Sequence, residues 1–117
     1  MYQLYSSIAP RPQDWPTLLD KIGEAMKKDY DFSREIAALK ATTLIVAADA
    51  DMFPPAHAAE FFGLLGGGQR DAGWDGSGRP KSRLAILPGL THYTIFSDPA
   101  LASTVIPFLD EPAVKTD

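Results

Sequence analysis

Two runs of consecutive apolar residues, separated by one helical stretch, constrain this chain more than any other feature. The first is Thr43-Leu-Ile-Val-Ala-Ala48, and it opens onto Asp49-Ala-Asp51-Met-Phe-Pro-Pro55. The second is Ser82-Arg-Leu-Ala-Ile-Leu87, and it opens onto Pro88-Gly-Leu-Thr-His92-Tyr. Apolar residues at successive positions, rather than alternate ones, fit strands covered on both faces, as in a parallel sheet. Strand, helix and strand in that order imply a parallel crossover of right-handed sense. The fold class is therefore α/β: a small parallel βαβ core with flanking helices.

Helices are expected around this core. Trp15, Leu18, Leu19, Ile22 and Met26 recur at helical spacing, which predicts a helix over about 15–28, with Asp14 as its cap and Pro16 in its first turn. Residues 1–13 read as irregular because Pro10 and Pro12 interrupt them. Ser33 is the expected cap of a short helix carrying Ile36, Ala37 and Leu39. Pro54-Pro55 starts a third helix, with Ala58, Phe61, Phe62 and Leu65 inward, and Gly66-Gly-Gly68 stops it. Residues 69–81 form a polar loop. A last helix begins near Pro99 and carries Leu101, Val105 and Phe108 inward. The tail 113–117 is expected to fray.

In a parallel α/β sheet, functional groups gather beyond the carboxyl ends of the strands. Asp51 and His92 both fall there. An imidazole takes a proton from a hydroxyl near pH 7 when a carboxylate orients its other nitrogen. Asp51 is thus the candidate acid and His92 the candidate base. Asp49 reads as a turn residue. His57 and Glu60 read as a pair on a helix surface, since two ligands do not make a metal site.

Composition narrows the alternatives. The chain has 117 residues, no cysteine and a net charge of −4. A thiolate nucleophile and disulfides are excluded. Nothing calls for nucleic acid or an anionic membrane, which need clustered Lys and Arg. No segment reads as a membrane span or signal peptide, and a cytoplasmic location is expected. No cofactor or metal motif is present.

Taken together, these segments resemble the α/β-hydrolase superfamily. Ala41 to Pro55 is similar to its penultimate core strand and acid turn. Leu84-Ala-Ile-Leu-Pro-Gly-Leu-Thr-His-Tyr93 is similar to its last core strand and histidine loop, and Pro99 to Leu109 to its closing helix. The resemblance assigns Asp51 as the acid and His92 as the base of a catalytic triad. It divides the chain into a cap- or lid-like segment at 1–34, with one helix, and a core fragment at 35–112. Where the family often has Gly, this chain has Ala48. The family's nucleophile elbow, G-x-S-x-G, has no match: Asp75 and Arg79 flank Gly76-Ser77-Gly78, so Ser77 reads as a loop residue. The resemblance implies the C-terminal portion of a serine hydrolase acting on ester-like substrates, inactive as a triad enzyme by itself.

A two-stranded sheet is marginal alone and leaves an apolar strand edge unpaired. A homodimer or a companion chain is the expected cover. The alternative function is a noncatalytic dimeric interaction module on the same core. A third reading takes Asp49-x-Asp51 as similar to the phosphoryl-transfer site of haloacid-dehalogenase-type phosphatases. It lacks that family's later lysine and acidic pair, and it leaves His92 without a role.

Overall fold

The computed structural model describes residues 1–112; the expectation of a frayed tail at 113–117 lies outside them. The chain divides into two compact units, Met1–Asp31 and Phe32–Asp117, three residues before the boundary expected at 34.

The first unit holds α1 (Tyr2–Ile8), a 3₁₀ turn at Pro12–Asp14 and α2 (Trp15–Met26). Helix α1 corrects the expectation of an irregular start. Residues 2–8 contain neither Gly nor Pro, so Pro10 ends a helix instead of preventing one. The Ser6 and Ser7 hydroxyls donate to the carbonyls three residues earlier. Tyr2 and Tyr5, one turn apart, meet the Trp15 ring with centroids at 5.8 and 4.9 Å, within the range of favourable aromatic pairs. Asp14 occupies the cap position of α2 but makes no capping bond. Its carboxylate instead pairs with Arg11 at 2.9 Å.

The second unit runs α3 (Ser33–Ala37), β1 (Leu44–Ala50), α4 (Pro55–Leu64), β2 (Arg83–Thr91), a 3₁₀ turn at Ile95–Ser97 and α5 (Pro99–Asp110). Helix α3 starts at Ser33 with Phe32 in the cap position, one residue earlier than Ser33 was expected there. Strands β1 and β2 pair in parallel as a two-stranded sheet with helices flanking it. This is a small α/β fold. The buried Ser82 hydroxyl accepts from the Thr43 N–H, and the Arg83 N–H donates to the Thr43 carbonyl, so both strands start level.

The core is small. Among the described residues, Ala48, Leu87 and Ile95 form its buried centre, with Val46, Leu90, Ala100 and Leu101 packed on it. No large side chain is fully buried among them. Leu101, Val105 and Phe108 are half-buried, as are Phe61, Phe62 and Leu65. Helix α5 is capped by Asp98, whose carboxylate accepts from the Ala100 N–H at 2.8 Å. No described helix is long and apolar enough to cross a membrane.

Candidate acid–base site

The two strands do not advance evenly. From Ala48 to Ala50, β1 moves two residues while β2 moves four, from Leu87 to Thr91. The extra length is a bulge at Pro88-Gly-Leu90. Gly89 adopts φ 72° there, a left-handed conformation that costs other residues but not Gly. The Gly89 N–H donates to Asp49 Oδ1 at 2.8 Å. Asp49 therefore serves the turn, as its position suggests. Past the bulge, Ala50 and Thr91 are level again, and the next residue on each chain is Asp51 or His92.

Each partner is fixed by its own turn. Asp51 Oδ1 accepts from the Phe53 N–H at 3.3 Å, and Pro54 and Pro55 stiffen the exit into α4. The Thr91 hydroxyl accepts from the N–H groups of Tyr93 and Thr94, both at 3.2 Å. Thr91 N–H donates in return to Thr94 Oγ1 at 2.9 Å. The residues flanking His92 are thereby clamped, and Ile95, 5% exposed, anchors the loop to the core.

His92 Nδ1 lies 3.0 Å from Asp51 Oδ1. The Asp51 side chain is 10% exposed and that of His92 35%. Burial pushes the Asp51 carboxyl up. The Phe53 N–H, the His92 ring and the Ala48 backbone together outweigh it and hold Asp51 below the usual carboxylate range. Asp51 is thus ionised at neutral pH and can hold the Nδ1–H tautomer, which leaves Nε2 to take a proton. Phe53, Tyr93 and Phe96 meet the imidazole edge-on, with ring centroids at 6.3, 5.6 and 5.9 Å.

The pair lines a cavity of about 410 Å³. Ile45, Phe53, Phe61, Ile95, Phe96 and Leu101 give it an apolar wall. His57 also lines it, although the sequence suggested a surface pair with Glu60. The His57 ring meets Phe53, centroid to centroid 6.0 Å, because α4 turns that face toward the strand ends.

Ser77 is elsewhere. It is exposed in the loop before β2, where its N–H donates to Asp75 Oδ1 at 3.0 Å. That N–H first, and the Ser77 hydroxyl second, lower the Asp75 pKa. Asp49 is held by Gly89 and does not line the cavity, which leaves the phosphatase-like reading without its second carboxylate. Ala48 is fully buried, and no non-glycine residue among those described has positive φ, so the backbone there does not require Gly. No group of three or more metal-ligating side chains occurs among the described residues.

The chain gives no match to protein-family models, to curated proteins or to solved structures.

Proposed function

We propose that this chain carries the acid and base of a serine-hydrolase-type acyl-transfer site, as the C-terminal portion of an α/β-hydrolase-like fold. The observation that carries the reading is the 3.0 Å contact between Asp51 and His92 at the carboxyl ends of two parallel strands, beside an apolar cavity. In this mechanism a hydroxyl gives its proton to His92 Nε2 as its oxygen attacks an ester carbonyl. The imidazolium then protonates the departing alkoxide. Water repeats the sequence and releases the acid. Asp51 orients the ring and stabilises its charged form. In this reading Ser77, exposed in the loop before β2 with its N–H on Asp75, is not the nucleophile.

By itself the chain should support only slow, imidazole-dependent hydrolysis of an activated ester. With p-nitrophenyl hexanoate, the expected result is turnover lost in His92→Gln, lowered several-fold in Asp51→Asn and unchanged in Ser77→Ala. Equal rates in wild type and His92→Gln would overturn the reading.

A second reading, a noncatalytic dimeric module, is favoured by one specific observation. Strand β1 pairs only with β2 among the described residues, and its stretch Leu44–Ala48 carries no charge. The β2 strand starts with Arg83, which reaches the Pro80 and Lys81 carbonyls and Glu111. Charged residues are a usual guard on edge strands. The unguarded edge is thus that of β1, and two copies pairing there would make one four-stranded sheet. Light scattering after size exclusion should give a dimer mass that Leu44→Lys lowers to the monomer and that His92→Gln leaves alone. A wild-type monomer at micromolar concentration would remove this reading.

A further inference from the structure

We infer that the cavity is the acyl subsite of this site, that it takes a neutral apolar acyl group, and that it rejects chains ending in a carboxylate. The inference rests on the acyl-transfer reading above. A volume of about 410 Å³ falls within the range of small-molecule sites, which are mostly apolar with a few placed polar groups.

The polar side chains that line it are Thr43, Asp51, His57 and His92. No Lys or Arg is among them. The one fixed charge is the Asp51 carboxylate, which is 10% exposed and therefore weakly screened by water. A carboxylate entering this cavity loses its hydration against Ile45, Phe61 and Leu101, meets a like charge and finds no guanidinium or ammonium to replace the water. An alkyl or aryl chain of the same length suffers none of these costs. His57 is the residue through which the selectivity can be changed. It sits in the first turns of α4, exposed on one side and lining the cavity on the other. Arg at that position would bring a permanent cation to the wall.

Two ketones of equal length serve as non-hydrolysable probes: 2-nonanone, and 8-oxononanoate, which ends in a carboxylate. Each is titrated into the ¹⁵N-labelled full chain at pH 7, with amide shifts as the readout. The expected result is saturable shifts at Ile45, Phe61 and Ile95 with 2-nonanone, and binding at least ten-fold weaker for 8-oxononanoate. In His57→Arg the gap should narrow several-fold through tighter binding of the oxononanoate. Equal affinity of the two probes in wild type, or shifts that never saturate, would overturn the inference. The p-nitrophenyl hexanoate assay reads the dyad separately. Selective ketone binding without His92-dependent hydrolysis would keep the charge-selective apolar cavity but overturn its assignment as an acyl subsite, together with the acyl-transfer reading. His92-dependent hydrolysis without selective binding would keep the acyl-transfer reading and overturn the inference.

Discussion

Replacing Gly89 tests how Asp51 and His92 are brought level. Gly89 has φ 72°, and a Cβ placed on it would meet nothing within 4 Å. Space is therefore not at issue, and the cost of Gly89→Ala is backbone strain alone, about 1–2 kcal/mol for a left-handed L-residue. If the chain instead escapes that strain by leaving the left-handed region, the Gly89 N–H turns from Asp49 and a bond worth about 0.5–1.5 kcal/mol is lost in its place. Either way the loss is about 2 kcal/mol at most. For a domain of this size each kcal/mol lowers Tm by about 4–8 °C. Thermal unfolding followed by circular dichroism reads the effect. Asn tolerates the conformation better than other L-residues, so Gly89→Asn should recover part of the loss. D-Ala, introduced by chemical synthesis, should recover all of it. An Asp49→Ala and Gly89→Ala double-mutant cycle reads the coupling between the two residues. A Gly89→Ala chain with wild-type Tm and an intact Asp51–His92 contact would refute the claim that the bulge needs this conformation.

Other outcomes follow from the same geometry. Because folding lowers the Asp51 pKa, its contribution is present above the unfolded value and is lost as pH falls through the folded one. Wild type should therefore exceed Asp51→Asn in stability at pH 6–7, with the gap closing below about pH 4 in urea titrations at each pH. Ile95→Ala removes a residue 5% exposed and should cost about 2–5 kcal/mol, read by the same unfolding experiment. Asp98→Ala removes the α5 cap at about 0.5–2 kcal/mol. Glu111→Ala breaks a half-exposed ion pair with Arg83 and should change stability by under about 1 kcal/mol.

The strands and the meeting of Asp51 with His92 were legible in the sequence because each rests on a local signal. Consecutive apolar residues marked β1 and β2, and strand ends marked where Asp51 and His92 would fall. The elements that were not legible depend on contacts distant in sequence. Helix α1 forms against Trp15, which no periodicity within residues 2–8 announces. Strand β2 continues to Thr91 through Pro88 and Gly89 because Asp49 holds the bulge from the other strand. The pair Asp49–Gly89 could have been suspected from a Pro-Gly opposite an acidic turn. Thr91 could have been suspected as a hydroxyl immediately before the candidate base. That His57 faces the cavity depends on the rotation of α4 about its axis. With Ala, His, Phe and Glu mixed around that helix, the pattern does not fix it.

Asp49 and Gly89 have a consequence for which lengths of chain can vary. Between Asp51 and His92 lie forty residues, but their contact depends on a few of them. Helix α4 could gain a turn, or the 69–81 loop could shrink, and the two strand ends would still meet. One residue inserted between Ala48 and Asp51, or removed from Pro88-Gly-Leu90, would slip one chain past the other and separate the carboxylate from the imidazole. Length variation should therefore be tolerated freely across most of the intervening chain and not at all in these two short stretches.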